Sequence, residues 1–180
     1  MITKNEGNMN SGRKKIKFTE GQWFSVPLFR NKGYAIGLVA RGGSQTGRGE
    51  FLGYYFGPRY LETPDGPLTN GNNPENIILQ CWTSDQALIT GDWNIIENGK
   101  QFIKTEWKVP NFYKDNLFDD QVGELITYDQ DDPHFLFPVS VKLCKINEVN
   151  HLPETSLWGT DVVRSTLTEK LVPLSERWSK

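Results

Sequence analysis

Residues 22–40 read QWFSVPLFRNKGYAIGLVA. Residues 22–29 are apolar and aromatic, and residues 34–40 resume with Tyr, Ile, Leu and Val after the break Arg30-Asn31-Lys32-Gly33. Asn and Gly reach positive φ cheaply, so the break is a turn and the two runs form an antiparallel hairpin. Pro27 has no N–H to give a ladder and marks an edge strand or a bulge. Gly37 marks a kink or a close approach to the backbone. Residues 41–49 hold four glycines and connect to a third strand at 50–56. Such a meander has to curl or be covered to bury its aromatics.

Outward from this core the pattern stays β-rich. Residues 57–76 are loop, with Pro58, Pro64, Pro67 and Pro74, and the stretch 64–74 is rich in Gly, Asn and Pro. Strand candidates follow at 77–82, 93–96 and 123–128, with one short helical turn at 84–90. Residues 105–109 are apolar at alternate positions until Pro110 ends the run. In 135–146, Val139, Val141 and Leu143 alternate with Ser140, Lys142 and Cys144, the period of a strand. One segment reads as a helix: Asp161 caps it, Val163, Leu167 and Leu171 recur along one face, and Pro173 stops it. Eleven residues are too few for a helix to stand alone, so it packs on the sheet. The expected class is mainly β (α+β): a small twisted antiparallel sheet or partly open barrel with a C-terminal helix packed on it. Residues 1–15 are expected to be a disordered lead, and 16–180 a single domain.

Composition narrows the function. A chain of 180 residues hides roughly 70% of its extended surface on folding, enough for a core without staples. It is 37% hydrophobic, 12% aromatic and 23% charged, with a net charge of −2 and a mean hydropathy of −0.54. That profile excludes a collagen-like fibre and a wholly disordered chain, and no global basic field points to nucleic acid. No apolar run approaches membrane-spanning length, and the first seventeen residues lack the apolar centre of a signal peptide. The expectation is a cytoplasmic protein with no direct nucleic-acid or membrane partner.

Catalytic patterns are sparse. Cys81 and Cys144 are too few for a disulfide framework or a thiolate zinc site, and both read as buried strand cysteines. Gly42-Gly43-Ser44-Gln45-Thr46 is one glycine short of a nucleophile elbow, and no glycine-rich stretch ends in Gly-Lys-Ser/Thr. His134 and His151 are the two histidines, and no nucleophile can be placed beside either. Asp129, Asp131, Asp132 and His134 are compact but lack the glycine and distal Glu of an EF-hand loop, so they read as a solvated acidic turn. The expectation is no catalytic residue, no metal and no cofactor.

Two features suit a binding protein. Residues 52–60, Leu-Gly-Tyr-Tyr-Phe-Gly-Pro-Arg-Tyr, place Tyr54, Tyr55, Arg59 and Tyr60 in one run, and Tyr and Arg are favoured at binding hot spots. The strand ending at Phe56 is read as structural, with Arg59 and Tyr60 beyond it freer to bind. Residues 115–132 contain seven acids and no Lys or Arg. Of these, Asp119, Asp120, Asp129, Asp131 and Asp132 are candidate partner-binding residues, because an acidic face attracts a basic partner.

At these residues the sequence resembles the immunity protein 26 family of bacterial polymorphic-toxin loci. The likeness starts at Glu20-Gly21-Gln22-Trp23-Phe24-Ser25-Val26-Pro27-Leu28 and continues through residues 33–40. Its most specific element is Leu-Gly-Tyr-Tyr-Phe-Gly-Pro-Arg at 52–59. Gly91-Asp92-Trp93-Asn94, Trp107-Lys108-Val109-Pro110, the acidic stretch 128–133 and the helix 161–171 match later landmarks, over roughly 17–172. The resemblance implies an antitoxin that neutralises a cognate protein toxin by direct binding. The leading reading is that it occludes the toxin's active site, and the acidic tract suits a toxin with a basic substrate groove, such as a nuclease. Some relatives carry a phosphotriesterase label, which implies the alternative of a small metal-dependent phosphotriester or ester hydrolase. A third reading is an adaptor for a non-toxin partner.

Overall fold

The computed structural model describes residues 15–64, 73–98 and 102–177. Residues 1–14 of the expected lead and 65–72 of the loop at 64–74 lie outside the described residues. The strands are β1 (Gln22–Pro27), β2 (Tyr34–Gly42), β3 (Glu50–Tyr60), β4 (Ile77–Ser84), β5 (Asn94–Asn98), β6 (Phe112–Asp115), β7 (Val122–Thr127), β8 (Ser140–Lys145) and β9 (Leu157–Trp158). The helices are α1 (Gln86–Thr90), α2 (Ile146–Val149), α3 (Thr160–Leu171) and α4 (Leu174–Arg177).

The hairpin forms as its sequence demands. Arg30, Asn31 and Gly33 take φ of 57°, 55° and 97°, and the Leu28 N–H closes the turn on the Gly33 carbonyl at 2.8 Å. β1 and β2 pair with Phe24 opposite Gly37. Gly37 is the close approach expected of it: a Cβ there would lie 2.2 Å from Phe24 Cζ. Pro27 sits where β5 has ceased to pair with β1, since that ladder ends at Ser25.

β3 and β4 extend the meander, β5 joins on the far side of β1, and β9 closes the row in the order β5-β1-β2-β3-β4-β9. The β4–β9 pair is parallel, so the sheet is mixed where an antiparallel one was expected, and it does not close into a barrel. β6, β7 and β8 form a second, antiparallel sheet. Of the run 135–146, only Ser140–Lys145 is strand. Residues 105–109 are not a strand: a 3₁₀ turn at Lys104–Glu106 leads into irregular chain.

Both faces of the large sheet are covered. On one, Phe24, Val26, Phe51, Tyr55 and Trp93 pack with Val163 and Leu167 of α3. The Phe24 ring stacks on Trp93 at 5.5 Å and meets Tyr55 edge-on at 5.9 Å. On the other, Leu52, Tyr54, Phe56 and Trp82 pack beneath Trp107, Val109, Phe112, Ile126 and Tyr128. The second sheet and its incoming chain therefore roof the first, and β3 is buried along residues 50–56 on both sides.

Helix α3 packs on the sheet as expected, but Asp161 is not its cap. Gly159 takes that position without a side-chain bond. Asp161 stands in the first turn, where a carboxylate is favourable to the helix N-terminus, and receives Arg164 Nη1 at 3.2 Å.

Candidate functional site

The aromatic run and the acidic tract separate in space. Tyr54 and Tyr55 are 1% and 0% exposed. The Tyr54 hydroxyl donates to the Lys108 carbonyl, and the Tyr55 hydroxyl lies 2.7 Å from Thr83 Oγ1. Burial pushes both phenols above their ordinary range, and neither offers a surface to a partner. The strand also runs further than the sequence indicated. β3 continues to Tyr60, which pairs with Tyr34, so Arg59 and Tyr60 lie within the strand and not beyond it. Arg59 Nη1 donates to Glu176 Oε2 at 2.8 Å, tying β3 to α4.

Cys81 is buried and hydrogen-bonded near Thr83, and burial pushes its thiol up to about 12. It stays protonated near neutral pH and is a core residue. Cys144 is half-buried in β8, its thiol 3.5 Å from the Gly123 carbonyl. Among the described residues no three His, Cys, Asp or Glu side chains come together in a set able to hold a metal ion.

The five candidate aspartates fall at the two ends of β7. Asp119 and Asp120 lie in the β6–β7 connection, and Asp129, Asp131 and Asp132 follow the strand's other end. Six residues of strand put roughly 20 Å between the groups. The second group is held rigidly. Asp129 Oδ1 accepts the N–H groups of Asp132 and Asp131, both at 2.8 Å, and these bonds hold its carboxyl below the ordinary range. Gln130 bridges Val109, accepting its N–H and donating to its carbonyl, each at 2.9 Å.

Beneath this turn lies Arg41, 2% exposed. Its guanidinium donates to the carbonyls of Gln130, Ala40 and Lys104 at 2.9, 2.6 and 3.2 Å. One arginine thus binds two connections to β2. Lys104 adds a bond to the Asp131 carbonyl and an ion pair with Glu20 at 2.9 Å. Arg48 pairs with Asp132 at 2.9 Å and depresses its pKa. The tract that lacks cations in sequence therefore acquires them in the fold, at this end. Among the described residues, Asp119 and Asp120 enter no ion pair.

Sequence reasoning missed the apolar surface between these two groups. On β8, Val139 just before the strand, Val141 and Leu143 are 62%, 51% and 69% exposed. Leu136 and Phe137 precede them, also exposed, and Leu117 and Phe118 stand beside Asp119 with Phe118 98% exposed. The alternation of Val139, Val141 and Leu143 was readable, but a half-buried strand carries the same pattern. What the pattern could not show is that β8 lies at the sheet's rim, with no further strand beside it among the described residues.

The family model for immunity protein 26 matches residues 19–121, more than half of the chain. The chain belongs to that family. The match spans β1 to β6 and stops one residue short of β7, so it covers the whole meander and the roofing segment around Trp107. No curated protein and no solved structure matches the chain. Membership in the immunity protein 26 family gives an immunity role in general terms, with a toxin as the partner. Among the described residues, no helix is long and apolar enough to cross a membrane.

Proposed function

We propose that this immunity protein 26 member is a non-enzymatic antitoxin. It binds the polymorphic toxin encoded beside it in the cytoplasm of the producing cell and occludes that toxin's active site. The observation that carries this reading is the combination of exposed apolar residues with acidic turns on the second sheet. Scattered exposed apolar residues are ordinary, but a contiguous row rimmed by charge marks an interaction surface. Val139, Val141 and Leu143 supply the apolar centre. Asp119, Asp120, Asp129 and Asp131 supply a negative rim.

A toxin with a cationic substrate groove, as in a nuclease, complements that rim. The carboxylates take the place of the backbone phosphates and speed encounter with the groove. The surface also lies in a sensible part of the chain. The meander carries the family match, and a family paired with different toxins needs a shared scaffold bearing a face of its own. Arg59 and Tyr60 are the half-buried end of the aromatic run and belong to the edge of this proposal, since Arg59 is tied to α4.

The test is co-expression. The adjacent toxin gene alone is expected to stop growth, and this chain beside it to restore growth through a one-to-one complex. Unrelieved killing, with both proteins present and folded, refutes the reading. Within the complex, Asp119→Asn with Asp120→Asn is expected to slow association about 3- to 10-fold at low salt and to flatten its salt dependence. Stopped-flow binding at two ionic strengths measures this.

A further inference from the structure

We infer that β8 is a docking edge that takes an extended strand of the toxin into the second sheet, by main-chain pairing. The inference rests on the antitoxin reading above and names how that contact is made.

The backbone of the second sheet fixes which groups of β8 are free. Tyr113 N–H donates to the Pro153 carbonyl at 3.0 Å and its carbonyl accepts from Thr155 at 2.8 Å, so Tyr113 turns its polar groups away from β7. Antiparallel ladders alternate with period two. Phe112 and Lys114 therefore bond β7 through their partners Ile126 and Glu124, which turn toward β6. Val122 agrees, since its carbonyl accepts from Asn116 at 3.3 Å and its N–H donates to Asp119 at 3.2 Å. The residues of β8 opposite Val122, Glu124 and Ile126 are Lys145, Leu143 and Val141. Their N–H groups accordingly point out from the rim, as do the carbonyls of Val141 and Leu143, while the Lys145 carbonyl, at the N-cap of α2, takes that helix's first bond. The Ile146 N–H bonded to Gln121 at 2.9 Å fits the same phase.

Of the three other edges, two are blunted. β6 is covered by the bridge from Tyr113 to Glu154, and β9 is two residues long. β8 instead offers three outward backbone donors, the outward carbonyls of Val141 and Leu143, and the side chains of those two residues. Such an edge recruits a strand. Lys142 and Lys145 guard it against indiscriminate pairing.

Charge and area decide the occupant. A second copy could align antiparallel on β8, but that would set the Asp119–Asp120 end of one molecule against the Asp129–Asp131 end of the other. An edge about 20 Å long is also a narrow strip beside the roughly 800 Å² per partner that a stable pair buries. The occupant must therefore reach the flanking turns and bring positive charge to them. A toxin segment with apolar residues at alternate positions and Lys or Arg at both ends meets those requirements.

The experiment uses the full chain and the adjacent toxin, made inactive by an active-site substitution. Val141→Pro removes one outward N–H, keeps an apolar side chain and leaves the β7 ladder its bonds. It is expected to weaken the complex at least tenfold in a calorimetric titration, with Val141→Ile within about threefold of the parent. Amide exchange in the wild-type complex supplies the check that needs no variant. The amides of Val141, Leu143 and Lys145 are expected to slow at least tenfold on binding. Complex formation with those three amides exchanging as in the free chain overturns strand docking and leaves the antitoxin reading standing. No complex at all overturns both.

Discussion

At Gly37 one hydrogen atom decides the packing of the first core. Phe24 is locked between Trp93 and Tyr55, so it cannot yield to a methyl group placed 2.2 Å from its ring. Gly37→Ala is expected to cost about 1–3 kcal/mol, read as a lower denaturant midpoint at unchanged slope. Glu50 gives a pH signature. It is buried and accepts the Phe135 N–H at 3.0 Å. Burial raises its carboxyl above the ordinary glutamate range, against the bond from Phe135 and the charges of His134 and Arg48. A raised carboxyl means that the folded state binds the proton more tightly than the unfolded one. Its contribution to stability is therefore greatest below the ordinary glutamate value of about 4.3 and declines as pH rises to the folded value, then stays level. Glu50→Gln removes that decline, and melting curves from pH 4 to 7 are expected to be flatter for the variant over this window. Asp132 has the opposite sign: Arg48 lowers its pKa, so its contribution holds above the ordinary carboxylate range and fades in acid.

Among the elements, the connections matter as much as the strands. Arg41 fastens residues 104 and 130 to β2 through three carbonyls. Lysine cannot span all three, so Arg41→Lys leaves buried carbonyls unpaired and is expected to cost about 2–4 kcal/mol. The amides of Asp131 and Asp132 are expected to exchange faster in that variant, which separates loss of the clamp from a uniform loss of stability. The hairpin, the third strand and α3 were legible because each is specified locally, by turn residues or by a period. β3 was legible as a strand but not as one buried on both faces, since alternation predicts a solvent side and here the roof removes it. That is why Tyr54 and Tyr55 looked available. The pairing of Arg48 with Asp132 spans 84 residues, and no local pattern carries it.

For the whole molecule, the division of labour is between a covered scaffold and a second sheet with an open rim. The meander belongs to the part matched by the immunity protein 26 family, while Val163 and Leu167 of α3, with Ile126 and Tyr128, complete its two cores from beyond that part. β7, β8 and the second acidic turn lie beyond it and carry most of the surface proposed to meet the toxin, with Asp119 and Asp120 at the end of the matched part. Composition foretold a chain able to bury a core, and motif residues foretold the family, but position at a rim is a property of the assembled sheets. The most direct measurement is a titration of the active adjacent toxin with this chain, following the toxin's own activity. The account predicts linear loss of activity to a sharp end point at one molecule per toxin. Full toxin activity at a several-fold excess of folded protein would contradict it.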